Sequence, residues 1–120
     1  MESAPVNDLL AMWWTGVSAE PERSRAAQLF HFDMDRVRFL KFFVYLTDVG
    51  ADSGPHVFVR GSHRRKPAAL REDRRFSDEE IARAYPAASV VEIAGPRGTV
   101  FAADTRGFHK GKPVVRGDRL

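Results

Sequence analysis

The run Leu29-Phe30-His31-Phe32-Asp33 constrains this chain most, because it reads as an extended strand with chemistry on one face. Side chains alternate along a strand, so His31 and Asp33, two residues apart, point the same way. Further strand candidates lie at 38–48, 56–62, 89–94, 99–104 and 114–120, with the first spanning 26–33. They are β-branched or aromatic and are punctuated by Gly50, Gly54-Pro55, Gly95-Pro96 and Gly98. One helix interrupts them: Ser77-Asp78-Glu79-Glu80 is a capping-box pattern opening Ile81–Tyr85, and Pro86 stops it. Many strands and little helix favour a sandwich or a barrel closed on itself.

Residues 1–25 read as a leader preceding a core at 26–120. In the leader, Asn7 could cap a short helix carrying Leu9, Leu10, Met12 and Trp13 and ended by Gly16, with 19–25 as a polar connector. The chain has 120 residues, which suits one domain, and its 43% hydrophobic and 29% charged content is ordinary for a globular protein. It has no cysteine, which excludes disulfides and thiolate metal sites. No apolar run approaches the ~20 residues that span a bilayer, and no basic stretch precedes Leu9–Trp14 as in a signal peptide. The expected location is cytoplasmic, with no membrane partner.

Charge is uneven. Between residues 60 and 75 stand Arg60, Arg64, Arg65, Lys66, Arg71, Arg74 and Arg75 against Glu72 and Asp73, on a chain of net charge +3. Such a run is ordinarily a solvated loop, and the sharper alternative is an anion-attracting rim beside a pocket. No aromatic residues interleave with these charges as a nucleic-acid stacking platform would need, so a nucleic-acid partner is not expected.

A second histidine comes late, at His109 between Gly107 and Gly111, where the chain reads as a tight turn presenting the ring inward. Arg119 follows ten positions on. Two imidazoles and a carboxylate on one face leave open positions on a metal, an arrangement that suits non-haem Fe(II), with Zn(II) chemically allowed. The trailing arginine can pair bidentately with the distal carboxylate of a 2-oxo acid. Asp35 is the rival carboxylate, one pleat further along and followed by Arg36 and Arg38. His56, after the Gly54-Pro55 turn, reads as a rim or turn residue, and His63 as no ligand. On 38–48, Leu40, Phe42, Val44 and Leu46 form an apolar face, and Phe39, Lys41, Phe43, Tyr45 and Thr47 a mixed one. The mixed face suits a ligand-holding lumen, unless Lys41 and Tyr45 simply reach solvent on an outer face.

Gln28–Asp35, Lys41–Val49 and Ser53–Arg64, followed by the region Gly95–Arg119, resemble the phytanoyl-CoA dioxygenase family over roughly residues 26–120. The resemblance implies a double-stranded β-helix (a cupin-like jelly roll) that uses Fe(II), 2-oxoglutarate and O2. With it, His31, Asp33 and His109 are expected as metal ligands and Arg119 as the co-substrate anchor; the resemblance puts the Phe43 position beside the co-substrate, Lys41 is expected there too, and Tyr45 and Arg60 are expected toward the substrate. The histidine matching His63 is not a ligand in that family. Gly111 stands where the family usually has a small hydroxyl residue, and Val59-Arg60 where a proline is usual.

The expected function is hydroxylation of an unactivated C–H of a small molecule or acyl thioester, with release of succinate and CO2. The alternatives are a truncated, non-catalytic jelly-roll binding protein and a jelly-roll metalloenzyme that does not use 2-oxoglutarate. The family's final strand should follow Arg119. Its absence predicts an unpaired edge at 114–120, an arginine held from one side only, and self-association through that edge.

Overall fold

A computed structural model describes residues 11–12, 15–16, 28–34 and 39–120. Its strands are β1 (Thr15–Gly16), β2 (Lys41–Val44), β3 (His56–Val59), β4 (Val90–Ile93), β5 (Val100–Ala103), β6 (His109–Gly111) and β7 (Asp118–Arg119), with one α-helix, α1 (Asp78–Ala84). The pairings are antiparallel: β1 with β7, β2 with β5, and β3 between β4 and β6. The protein is mainly β and jelly-roll-like. The described sheets do not close into a barrel. No helix among the described residues is long and apolar enough to cross a membrane. Most of the expected leader helix and Asp35 lie outside the described residues; of that helix Met12 has no helical structure, and Gly16, expected to end it, lies on β1.

Alternation divides the β4-β3-β6 sheet into two faces with different tasks. Val57 and Val59 of β3 turn to one side and join Phe30, Leu70, Phe76, Ile81 and Phe108 in a single buried cluster. Burying each such side chain is worth roughly 1.5–3 kcal/mol. The long connection from β3 to β4 covers this side with the turn at Ala68–Leu70, with Phe76 and with Ile81 of α1. Helix α1 opens as its sequence dictates. Glu80 N–H donates to Ser77 Oγ at 3.3 Å and Ser77 N–H donates to Glu80 Oε2 at 2.8 Å, completing the capping box. The opposite face of β3 and β6 carries His56, Phe58, His109 and Gly111, since His56 stands across from Gly111 and Phe58 across from His109.

The stretch expected as a strand at 26–33 is held like one only at single bridges. Phe30 and Phe76 exchange backbone hydrogen bonds at 3.1 and 2.8 Å, and one residue later His31 and His109 do the same at 3.0 and 2.9 Å. The partner switches from one flank to the other within one residue, so no continuous ladder develops. His109, expected in a tight turn, lies on β6 instead, because β3 on one side and His31 on the other hold that segment extended.

On β2 the mixed face turns inward. Tyr45, just past the strand, is 5% exposed, whereas Phe42 of the apolar face is 72% exposed. Lys41, Phe43 and Tyr45 therefore lie on the more buried side of β2. The C-terminal stretch is not the unpaired edge expected. Val114 bridges Ser53, Asp118 and Arg119 pair with Gly16 and Thr15, and Leu120 accepts from Leu46 N–H at 2.7 Å while donating to Thr47 Oγ1 at 3.1 Å. Arg119 is therefore held on both sides, with β1 drawn from within the stretch expected as a leader.

Ser62, in the Gly61-Ser62-His63 motif, ties the two site-bearing strands together. Its side chain is fully buried, donates to Val59 O at 2.7 Å and accepts from Phe108 N–H at 2.7 Å. Removing the hydroxyl strands a buried N–H, which costs about 1–3 kcal/mol. We expect Ser62→Ala to lower the free energy of urea unfolding by that amount; an unchanged midpoint would contradict this role.

Candidate metal centre

His31 and His109 face each other because their backbones form a hydrogen-bonded antiparallel pair, whose side chains leave the same face. Their ring centroids lie 4.3 Å apart. Asp33, two residues along from His31, shares that face, and its N–H donates to Thr105 O at 2.8 Å. His31, Asp33 and His109 each offer a ligand atom, and these atoms all lie within 4.8 Å of one another. His109 Nε2 is 3.7 Å from Asp33 Oδ2.

The two imidazoles are set up alike. His31 Nδ1 lies 2.9 Å from Leu29 O, and His109 Nδ1 lies 2.9 Å from Gly107 O. A carbonyl can only accept, so each Nδ1 carries the proton and each Nε2 keeps its lone pair. This is the orientation that metal-binding histidines use, with the far nitrogen fixed by a backbone carbonyl. Burial first, then the neighbouring His109, lowers His31 to a pKa of about 4. Burial also lowers His109. Asp33 is held below the usual carboxylate range: burial pushes upward, but the hydrogen bond from Lys41 leads the interactions that outweigh it. At neutral pH the three groups are two neutral imidazoles and a carboxylate, the protonation states a divalent cation requires.

Lys41 Nζ donates to Asp33 Oδ2 at 2.6 Å, so one positive charge already sits at the carboxylate. Phe43, on the same face of β2, stacks on Phe101 with centroids 5.0 Å apart and approaches the His56 ring at 4.7 Å. Tyr45 is a buried strut beside them, donating to Ile93 O at 2.7 Å and accepting from His56 N–H at 3.0 Å. Its hydroxyl is thus committed to the backbone.

Arg119 reaches the site through an unusual space. A Cβ on Gly111 would sit 2.5 Å from Arg119 Nη2, so the guanidinium lies where residue 111 has no side chain. It donates to the carbonyl of Gly54, a residue at φ of 72° whose backbone would be strained with any side chain. Burial lowers the Arg119 pKa, and no carboxylate of the described residues pairs with it. A half-buried guanidinium with only a carbonyl for company is a ready partner for an anion.

A cleft of about 580 Å³ opens beside the triad, lined by His31, Phe32, Asp33, Met34, Asp73, Arg74 and Arg75. The basic segment therefore contributes to a rim at its end only. Arg74 is tied to Glu80 at 2.7 Å, whereas Arg64, Arg65 and Arg71 are exposed elsewhere. Lys66 is turned inward over the Phe32 and Phe108 rings. Arg60 is not brought to the site. It follows the end of β3, is exposed, and donates to Ala88 O at 2.9 Å. His63 is half-buried and outside the triad.

His56 is the residue that the sequence reading set aside and the structure brings in. It lies on β3, 7% exposed, with its ring 5.6 Å from that of His109 and nearly parallel to it at 20°. The signal was present: Val57 and Val59 mark the core face of β3, which assigns His56 to the other.

An antiparallel β fold that gathers two imidazoles and a carboxylate beside a half-buried guanidinium has the architecture expected of a metal-dependent jelly-roll oxygenase. Residues 15–118 match the phytanoyl-CoA dioxygenase (PhyH) family, and the chain belongs to that family. Comparison with curated proteins gives no match.

The depressed imidazoles carry a stability consequence. His31 and His56, at about 4 and about 3, sit below the ordinary 6.5, so between those values the unfolded chain binds protons that the folded chain does not. Their contribution is complete above pH 6.5 and declines as pH falls toward about 4 for His31 and about 3 for His56. Metal-free protein should show a thermal midpoint that falls steadily over that window; a flat profile would contradict the buried, neutral assignment.

Proposed function

We propose that the protein is an Fe(II)- and 2-oxoglutarate-dependent dioxygenase that hydroxylates an unactivated C–H of a small molecule or acyl thioester. The observation that carries this reading is the paired tautomer lock on His31 and His109, which aims two Nε2 lone pairs at the space beside Asp33. Membership of the phytanoyl-CoA dioxygenase family supports the same reading.

In this reading His31, Asp33 and His109 hold Fe(II), and three protein ligands leave positions for the co-substrate and O2. Bound there, iron supplies the oxidising chemistry, in which 2-oxoglutarate is decarboxylated to succinate and CO2 as the C–H bond is hydroxylated. The chain's own part is binding and positioning. Arg119 takes the C5 carboxylate in a charge-assisted pair, replacing its contact to Gly54 O. Lys41, beside Asp33, adds positive charge at the metal end. Phe43 and Phe101 wall the co-substrate from water, which strengthens both electrostatic contacts. The cleft lined by Phe32, Met34 and Arg75 would admit the substrate beside His31 and Asp33.

Anaerobic iron loading followed by desalting and metal analysis tests the ligand set. The wild type should retain iron, His31→Ala, Asp33→Ala and His109→Ala should each lose both iron and turnover, and His63→Ala should keep both. Full activity in His109→Ala would sink the triad. For the anchor, Arg119→Ala should weaken 2-oxoglutarate binding by about 2–5 kcal/mol, the usual loss for one partner of a desolvated charge pair, with iron retention intact. Unchanged affinity by titration calorimetry would move the anchor elsewhere, with Lys41 the first suspect.

A further inference from the structure

The face of β3 and β6 that carries His109 also carries a third imidazole. His56 stands directly across from Gly111, over which the Arg119 guanidinium lies, and one pleat from the Phe58–His109 pair. Its ring therefore flanks the path from the metal end at His109 to the anion end at Arg119. Phe43 and Phe101 close the other sides, with centroids 4.7 and 5.2 Å from it. Within this enclosure His56 Nε2 is buried and has no hydrogen-bond partner. Buried polar atoms are nearly always paired in native proteins, and an exception next to a binding site points to a missing partner. Packing alone does not account for it, because a leucine or phenylalanine would fill an aromatic enclosure without stranding a nitrogen. An imidazole ring carries an N–H in either protonation state, so it has a hydrogen to give.

We propose that His56 is a co-substrate-binding residue whose Nε2–H donates to a carboxylate oxygen of the 2-oxo acid spanning the triad and Arg119. This rests on the reading of the site as an Fe(II)/2-oxoglutarate centre and adds to it a contact on β3. The residue acts alongside Arg119 rather than through it. Its backbone N–H remains bonded to the Tyr45 hydroxyl whatever its side chain.

The test is titration of 2-oxoglutarate into Mn(II)-loaded protein, with Mn(II) affinity measured separately. His56→Leu should weaken 2-oxoglutarate binding roughly tenfold or more, as expected for loss of a hydrogen bond to a charged group. His56→Gln, which keeps an N–H donor, should stay within about threefold of wild type. Mn(II) affinity should be unchanged in both. Wild-type 2-oxoglutarate affinity in His56→Leu overturns the proposal, as does a parallel loss of Mn(II) affinity in both variants, which marks a structural role. If the unsubstituted protein binds Mn(II) but no 2-oxoglutarate, the functional reading fails and this contact fails with it. Should His56→Leu not fold, the unsubstituted Zn(II)-loaded protein decides by ¹⁵N spectra of its histidines. The His56 Nε2 resonance should move on addition of 2-oxoglutarate, and a fixed resonance overturns the proposal.

Discussion

The site depends on one backbone contact, the reciprocal pair of hydrogen bonds between His31 and His109. These residues are far apart in sequence, and the bridge alone decides that their rings leave the same face 4.3 Å apart. It forms one residue after the Phe30–Phe76 bridge, so the aromatic core and the metal centre are built from alternate residues of one short segment. Phe30 and Phe32 anchor that segment in or against the core while His31 and Asp33 face away from it. Ser62 supports the arrangement from the other side by fixing Phe108, the residue before His109, to the end of β3.

Electrostatics then divide the site into two ends. At the metal end, burial keeps the imidazoles neutral while Lys41 keeps Asp33 charged. At the other end a half-buried guanidinium has a backbone carbonyl but no carboxylate of the described residues. A ligand with one chelating end and one free carboxylate matches both ends at once. Gly111 is what permits this spacing. A hydroxyl-bearing residue there, as the family usually has, would contest the volume that the guanidinium fills.

Much of this was legible in the sequence, and the reasons are local. Alternation placed His31 with Asp33 and put Lys41, Phe43 and Tyr45 on one face. The Ser77–Glu80 spacing located the helix start because capping is a contact between neighbours. What escaped depends on partners distant in sequence. The His109–Gly111 segment is too short and too glycine-flanked to read as a strand, and becomes one only between β3 and His31. His56 looked like a turn residue because Gly54-Pro55 precedes it, although Val57 and Val59 had already assigned the faces of that strand. Arg119 looked exposed to fraying because its partner strand, Thr15–Gly16, lies near the opposite end of the chain.

The central claim is that His31, Asp33 and His109 present a cation with adjacent free positions, within reach of Arg119. Its most direct test is the visible absorption of Fe(II)-loaded protein as 2-oxoglutarate is added without oxygen. Chelation by the 2-oxo carboxylate should produce a charge-transfer band that saturates with one 2-oxoglutarate per iron. Iron-loaded protein that gains no such band, while still binding its metal, would contradict the account.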